Sequence, residues 1–273
     1  MRVTLFDDAR RPAEGRTFWL QTSPEFAMKR LLAAGATAIY QVTHAFRGGE
    51  RGRLHNPEFT MAEWYRVGDG LQDGLQLLSD LAETLLARGA ADRLTYRNAF
   101  LQHAGVDPLT SDVRELAART HVLHLAVPAG LDPQDRDGWL DLLLVECVEP
   151  QLGQQRPTIL YDYPASQSAL ARVRDEDPPV AERFELYVRG IELANGYHEL
   201  LDPAILRQRN HKVNRQRQAD GKPMLPEDSQ LLAAMVSGLP PCTGVALGLD
   251  RLVMMAAGAE EISAVMTFPV ERA

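Results

Sequence analysis

In Phe46-Arg47-Gly48-Gly49-Glu50-Arg51-Gly52-Arg53-Leu54-His55-Asn56-Pro57-Glu58-Phe59-Thr60-Met61-Ala62-Glu63-Trp64-Tyr65, a charged, glycine-rich loop separates two strand patterns, residues 38–46 and 58–67. The loop, 47–53, has too many glycines and charges to be core. In the second strand, alternation places Phe59, Met61, Glu63 and Tyr65 on one face and Glu58, Thr60, Ala62 and Trp64 on the other. Each face sets a carboxylate beside large apolar groups, which is costly unless the carboxylate has a partner. Arg47, at the end of the first strand, has a planar fork suited to gripping a carboxylate and a phosphate oxygen at once. An edge hairpin with solvated charges is the equally weighted alternative on these residues alone.

Toward the N-terminus, residues 17–21 read as a short strand leading into a helix capped by Ser23. Pro24 takes the first helical position, Glu25 the first turn, and Gly35 the stop. Toward the C-terminus, residues 71–150 read as a mostly helical insertion, with helices over 71–88, 112–119 and 135–148. A strand over 158–163 ends at Pro164, and a hairpin of 184–188 and 191–194 turns at Arg189-Gly190. Helices over 203–219 and 227–237, a strand over 244–248 and a helix over 250–257 complete the chain. Strands at both ends with helices between them predict an α+β fold built on an antiparallel β-sheet flanked by helices, as a single domain over 1–273.

Two further segments hold more polar residues than packing requires. Glu192 and Glu199 lie seven residues apart, so a straight strand would point them to opposite faces. A bulge at Asn195-Gly196 would bring them to one face, where two carboxylates could hold a Mg²⁺ ion that bridges phosphates. A hairpin with solvated glutamates is the plainer alternative. In Gly244-Val-Ala-Leu-Gly248-Leu-Asp250-Arg251, a strand-end glycine, a helix N-terminus and an arginine together favour a negatively charged ligand. Glycines also occur at such junctions for packing alone. His55 and His198 read as hydrogen-bonded structural histidines, and Cys147 as packing.

The chain has 273 residues, 45% hydrophobic and 24% charged, as in an ordinary globular protein. It contains no apolar run of membrane-spanning length, and Met1 to Arg16 lacks the apolar core of a secretory signal. Two distant cysteines, Cys147 and Cys242, fit a reducing cytoplasm and no zinc site. The formal charge of -8 does not advertise nucleic-acid binding. The basic stretch from Arg207 to Lys222 reads first as a solvated helix face and second as a surface for an acidic partner.

In this order the three segments closely resemble the class II lysyl-tRNA synthetases, most of all the short branch of that family that ligates (R)-β-lysine or lysine to elongation factor P. Residues 46–65 resemble motif 2 and 244–251 motif 3, and the resemblance runs from Trp19 to Ala273. Thr22-Ser23-Pro24-Glu25, Pro164-Ala165-Ser166-Gln167 and Ala246 are similar to the short branch; the synthetases typically have alanine where Ser23 sits and glycine where Ala246 sits. One methyl in a pocket wall discriminates by only about 1–3 kcal/mol. The resemblance implies a class II catalytic core that uses ATP and Mg²⁺ to form an aminoacyl-adenylate, then passes the acyl group to a protein lysine. It implies Arg47 on the α-phosphate and substrate carboxylate, Arg251 on the γ-phosphate, Phe59 on adenine and Asn56 fixing the nucleotide. Gly48, Gly49, Glu50, Leu193 and Gly248 would complete the ATP site. Glu192 and Glu199 would organise the metal, and Ser23, Pro24, Glu25, Tyr65, Glu199 and Ala246 would meet the amino acid.

The chain departs from the family pattern in two places. Gly49 stands where motif 2 usually has a glutamate, with Glu50 one residue later. The motif 1 segment and the anticodon-binding barrel are expected to be absent, which leaves a homodimer open. tRNA is not expected as a partner. The alternatives are a tRNA-charging fragment and a catalytically silent paralogue with a regulatory binding role.

Overall fold

A computed structural model describes residues 1–5 and 16–273; most of the N-terminal segment judged above for a secretory signal lies outside the described residues. In chain order, β1 (Arg2–Leu5) and β2 (Arg16–Trp19) form a separate antiparallel pair. Then come α1 (Glu25–Ala33), β3 (Ala38–Phe46), β4 (Glu58–Val67), α2 (Leu71–Leu86), β5 (Asp92–Thr95) and α3 (Tyr96–His103). α4 (Val113–Val122) and α5 (Arg136–Leu143) follow, α5 running on into a π-helical turn, Leu144–Val148. The remainder is β6 (Thr158–Pro164), β7 (Val173–Arg174), β8 (Val180–Val188), β9 (Ile191–His198), α6 (Pro203–Ala219), α7 (Gln230–Gly238), β10 (Cys242–Gly248) and α8 (Leu249–Ala256).

The main sheet has eight strands in the order β3-β4-β10-β9-β8-β6-β5, with β7 paired to β8. Every pair in it is antiparallel except β5 with β6. Alternation divides the central strands into an apolar face and a polar one. Trp64, Phe184, Leu186, Ala194, Val245 and Leu247 pack with Leu71, Leu75 and Leu78 of α2 and Leu252 of α8. Gly74 of α2 and Gly196 of β9 permit this close approach: a Cβ on Gly196 would lie 2.5 Å from the Phe184 ring. The opposite face carries Phe59, Met61, Glu63 and Tyr65 of β4, Asn195 and Tyr197 of β9, and Gly244 and Ala246 of β10, which line the cleft described below.

Several expectations need correction. The bulge in β9 falls at Leu193, since Leu186 faces Ala194 while Tyr187 faces Glu192. Asn195 and Gly196 instead pair regularly with Glu185 and Phe184, because Gly196 is held against the Phe184 ring. The displaced bulge still serves the same end, since Glu192 and Asn195 line one hollow of the cleft and Asn195 and Glu199 the other. Helix α1 starts at Glu25 with Pro24 at the N-cap; Ser23 Oγ still accepts the Glu25 N–H at 3.3 Å. Residues 71–150 are mostly helical but not set apart. α2 forms the layer over the apolar face, β5 extends the sheet, and α3 to α5 pack with β6 and β8 in a second core around Tyr96, Phe100, Leu116, Trp139 and Leu140. The Arg189-Gly190 turn has φ of 51° and 73°, the doubly positive pattern that matches strand twist in a tight hairpin.

Candidate active site

The polar face of the sheet bears two adjoining hollows. The larger, ≈ 320 Å³, lies between the 47–57 loop, β4, β9 and the start of α8. Arg47 stands over the Phe59 ring, its guanidinium carbon 5.2 Å from the centroid, with Glu50 3.8 Å from its Nη1. Arg251 is fixed from three sides: Nη1 donates to Glu192 O at 2.8 Å, Nε to Leu54 O at 3.2 Å, and Nη2 lies 2.7 Å from His55 Nε2. For that last contact His55 must be a neutral acceptor, and burial together with the Arg251 charge lowers its pKa accordingly. Asp250, at the first turn of α8, accepts the Thr60 N–H at 2.6 Å and ties β4 to the helix start.

The smaller hollow, ≈ 110 Å³, shares Arg47, Met61, Asn195 and Ala246 with the larger. It is lined also by Ser23, Glu25, Glu63, Tyr65, Tyr197, Glu199 and Gly244. Beneath it the Lys29 ammonium lies 2.6 Å from Glu25 and 2.5 Å from Glu199. Burial alone would lower the Lys29 pKa, but Glu199 and Glu25 together hold it above the usual lysine range. Tyr65 donates to Glu63 Oε1 at 2.6 Å, while Glu63 Oε2 is buried without a hydrogen bond. Burial pushes the Glu63 carboxyl up to about 7, and it pushes Glu199 up to about 8 against the opposing pull of Lys29. Asn195 Nδ2 donates to Glu185 and leaves its buried Oδ1 without a donor. When ionised, the three carboxylates against one internal ammonium leave two negative charges to be met by a ligand, and the raised Glu63 and Glu199 mark the positive charge they need to stay ionised; Arg47 stands at the junction of the hollows.

Most of the residues singled out in the sequence converge here. Arg47, Glu50, Phe59, Glu192, Leu193, Gly248 and Arg251 line the larger hollow, and Ser23, Glu25, Tyr65, Glu199 and Ala246 the smaller. Four do other work. Gly48 and Gly49 line neither hollow; Gly49, at φ 90°, shapes the loop. Pro24 is buried at the cap of α1. Asn56 borders the larger hollow, but its amide is consumed by the protein: Nδ2 donates to Glu58 O at 2.5 Å and Oδ1 accepts the Val270 N–H at 2.8 Å. It anchors the loop to the C-terminal segment. The residues missed are Lys29, Glu63, Glu185 and Asn195. Of these only Glu63 gave a signal, as a carboxylate on the aromatic face of β4.

Glu192 and Glu199 were expected to share a metal, and the structure separates them. Glu199 is paired with Lys29 in the smaller hollow, whereas Glu192 lies in the larger one beside Glu185. Burial, then the Glu185 charge, pushes Glu192 up to about 8. Glu185 accepts from Tyr163 and Tyr187 at 2.6 Å, Arg183 at 2.5 Å and Asn195 at 3.0 Å. Among the described residues no three His, Cys, Asp or Glu side chains gather as a self-sufficient metal site. A Mg²⁺ ion carried in on phosphates needs only one or two protein carboxylates. Glu192 fits that requirement, because a cation would offset the burial and the Glu185 repulsion that now disfavour its carboxylate, whereas both Glu185 oxygens are already taken by protein donors.

With an antiparallel sheet whose polar face joins an arginine-lined hollow to a smaller acidic one, the chain belongs to the class II tRNA synthetases (D, K and N), whose family model it matches over residues 4–272. Among similar proteins, the elongation factor P–(R)-β-lysine ligase of Edwardsiella ictaluri (strain 93-146) is 48% identical over 264 residues, covering 96% of this chain and 80% of the relative. The ligase of the same name from Salmonella typhi is 48% identical over 261 residues, with the same shares covered.

Proposed function

We propose that this protein activates (R)-β-lysine, or lysine, with ATP as an acyl-adenylate and transfers the acyl group to a lysine side chain of elongation factor P. The observation that carries the reading is the smaller hollow. The two negative charges it carries when its carboxylates are ionised match the two ammonium groups of a diamino acid, and Arg47 at its mouth matches the carboxylate. Buried charges persist only when paired, so the pocket favours such a substrate over a monoamine. Relatives of this chain bear the name of that reaction.

In the first step a substrate carboxylate oxygen attacks the α-phosphorus and pyrophosphate leaves. In the second, a protein amine attacks the activated carbonyl and AMP leaves. Little proton transfer is needed before the attack, so the enzyme's share is positioning and charge stabilisation. Arg47, shared by both hollows, holds the carboxylate and α-phosphate together, and the Phe59 ring supports the adenine. Arg251, fixed by three acceptors, is pre-organised for the γ-phosphate. Glu63 with Tyr65, Glu25 and Glu199 receive the two ammonium groups, and the Asn195 Oδ1 accepts from one of them. Glu192 would hold a Mg²⁺ ion carried in on the phosphates, which would supply charge neutralisation there. The reaction places the protein in the cytoplasm with its acceptor. No helix among the described residues is long and apolar enough to cross a membrane.

The test is one reaction with elongation factor P, ATP, Mg²⁺ and (R)-β-lysine, with lysine in a parallel tube, read by intact mass of the factor and by acid gels of added tRNA. A lysyl-mass adduct on the factor with uncharged tRNA is the expected result. Charged tRNA with an unmodified factor would assign the core to tRNA charging instead.

A further inference from the structure

Lys29 is the one lysine among the buried polar residues described, 2% exposed, and both of its partners line the smaller hollow. α1 does not need this ion pair to dock. Met28 and Leu32, 2% and 1% exposed, already seat the helix against Tyr65, Leu206 and Leu232. Burying an ion pair costs desolvation that its attraction barely repays, and apolar residues of similar volume often serve stability as well. Lysine at position 29 therefore contributes something that core packing does not. Its ammonium links a carboxylate in the first turn of α1 to one just past the end of β9, across the floor of the hollow.

We propose that Lys29 is a positioning residue of the amino-acid site: it fixes Glu25 and Glu199 at the spacing that receives a diamino acid and neutralises one of the three carboxylate charges there. This inference rests on the diamino-acid reading above. Apart from Arg47 at the junction, the other titratable groups bordering the hollow are Glu63 and Tyr65 from β4 and Tyr197 from β9, with Cys242 of β10 beside Glu199. None of them can supply a positive charge in place of Lys29. Without it, Glu25 and Glu199 lose their common anchor, and the loss falls on amino-acid binding rather than on the nucleotide hollow.

The experiment is ATP–pyrophosphate exchange driven by (R)-β-lysine and by lysine, with the parent, Lys29→Met and Lys29→Arg. Lys29→Met should raise the amino-acid KM at least about tenfold while kcat and the KM for ATP stay within about threefold. Lys29→Arg, which keeps the charge, should recover most of that loss. A folded Lys29→Met with the parental amino-acid KM overturns the proposal, as does an equal rise in both KM values. If Lys29→Met does not fold, Lys29→Gln, which removes the charge but can still donate to a carboxylate, should fold with the raised amino-acid KM. Parental KM in that variant, or failure of both to fold, assigns Lys29 a structural role instead. A parent silent with every diamino acid would overturn the reading of the pocket itself; an active parent beside an unaffected variant overturns only the role of Lys29.

Discussion

Glu63 shows what a single residue can and cannot reveal in a sequence. Alternation correctly places it with Phe59, Met61 and Tyr65, and a carboxylate on that face called for a partner. That Tyr65 binds one oxygen and leaves the other bare is a matter of side-chain geometry. Glu63→Gln keeps the shape and removes the charge; a charged hydrogen bond is worth about 1.5–3 kcal/mol, so the amino-acid KM should rise roughly ten- to hundredfold with the KM for ATP unchanged. Steady-state exchange kinetics check this, and an equal rise in both KM values would contradict it. Arg251→Ala should abolish exchange while leaving circular dichroism unchanged, since the residue faces the larger hollow from the first turn of α8. Exchange at the parental rate would show that the nucleotide is misplaced. Asn56 marks the limit of the sequence: nothing in it tells that Val270, far along the chain, takes the amide oxygen.

Elements with a clean period were legible, and irregular ones were not. β3 and β4 have the expected bounds, 38–46 and 58–67, because alternation continues to their ends, and α6 spans 203–219 between Asp202 at its cap and the Asp220-Gly221 stop. The two residues around Leu193 that realign Glu192 carry no such pattern, and Asn195-Gly196 was the more tempting bulge. β5 was hidden because four residues in a helical stretch are too few to show a period. Gly244 is the β10 position where a side chain would cost most: an added Cβ would overlap the Tyr65 ring and lie 2.5 Å from Glu199 Oε1. Gly244→Ala should destabilise the protein by about 1–3 kcal/mol and, by displacing Tyr65 and Glu199, suppress amino-acid-dependent exchange. A thermal melt and the exchange assay check both parts; parental values in both would mean the site is looser than the structure shows.

At the scale of the whole molecule, the α+β class and the antiparallel sheet were legible because strands at both ends leave little room for parallel crossovers. The division into three cores was not, since the assignment of α2 to the sheet depends on long-range packing. The buried acids also give the ligand-free protein a pH dependence. Glu63 is raised to about 7, Glu192 and Glu199 to about 8, each from an ordinary value of 4.5. A carboxyl raised in the folded state contributes its stability fully below its unfolded pKa and loses it as pH climbs through the folded one. The Tm without ligands should therefore fall by several degrees between about pH 5 and 9, and saturating (R)-β-lysine should reduce that fall. A flat or rising Tm would contradict the burial of these charges.

The central claim is that an acidic hollow, two positive charges short of balance when its carboxylates are ionised, selects a diamino acid for activation. The most direct measurement is pyrophosphate exchange across (R)-β-lysine, lysine, norleucine and 6-aminohexanoate at fixed ATP and Mg²⁺. Exchange with the two diamino acids, and at least about a hundredfold lower kcat/KM with the two that lack an amino group, is the predicted result. Comparable exchange with norleucine or 6-aminohexanoate would contradict it.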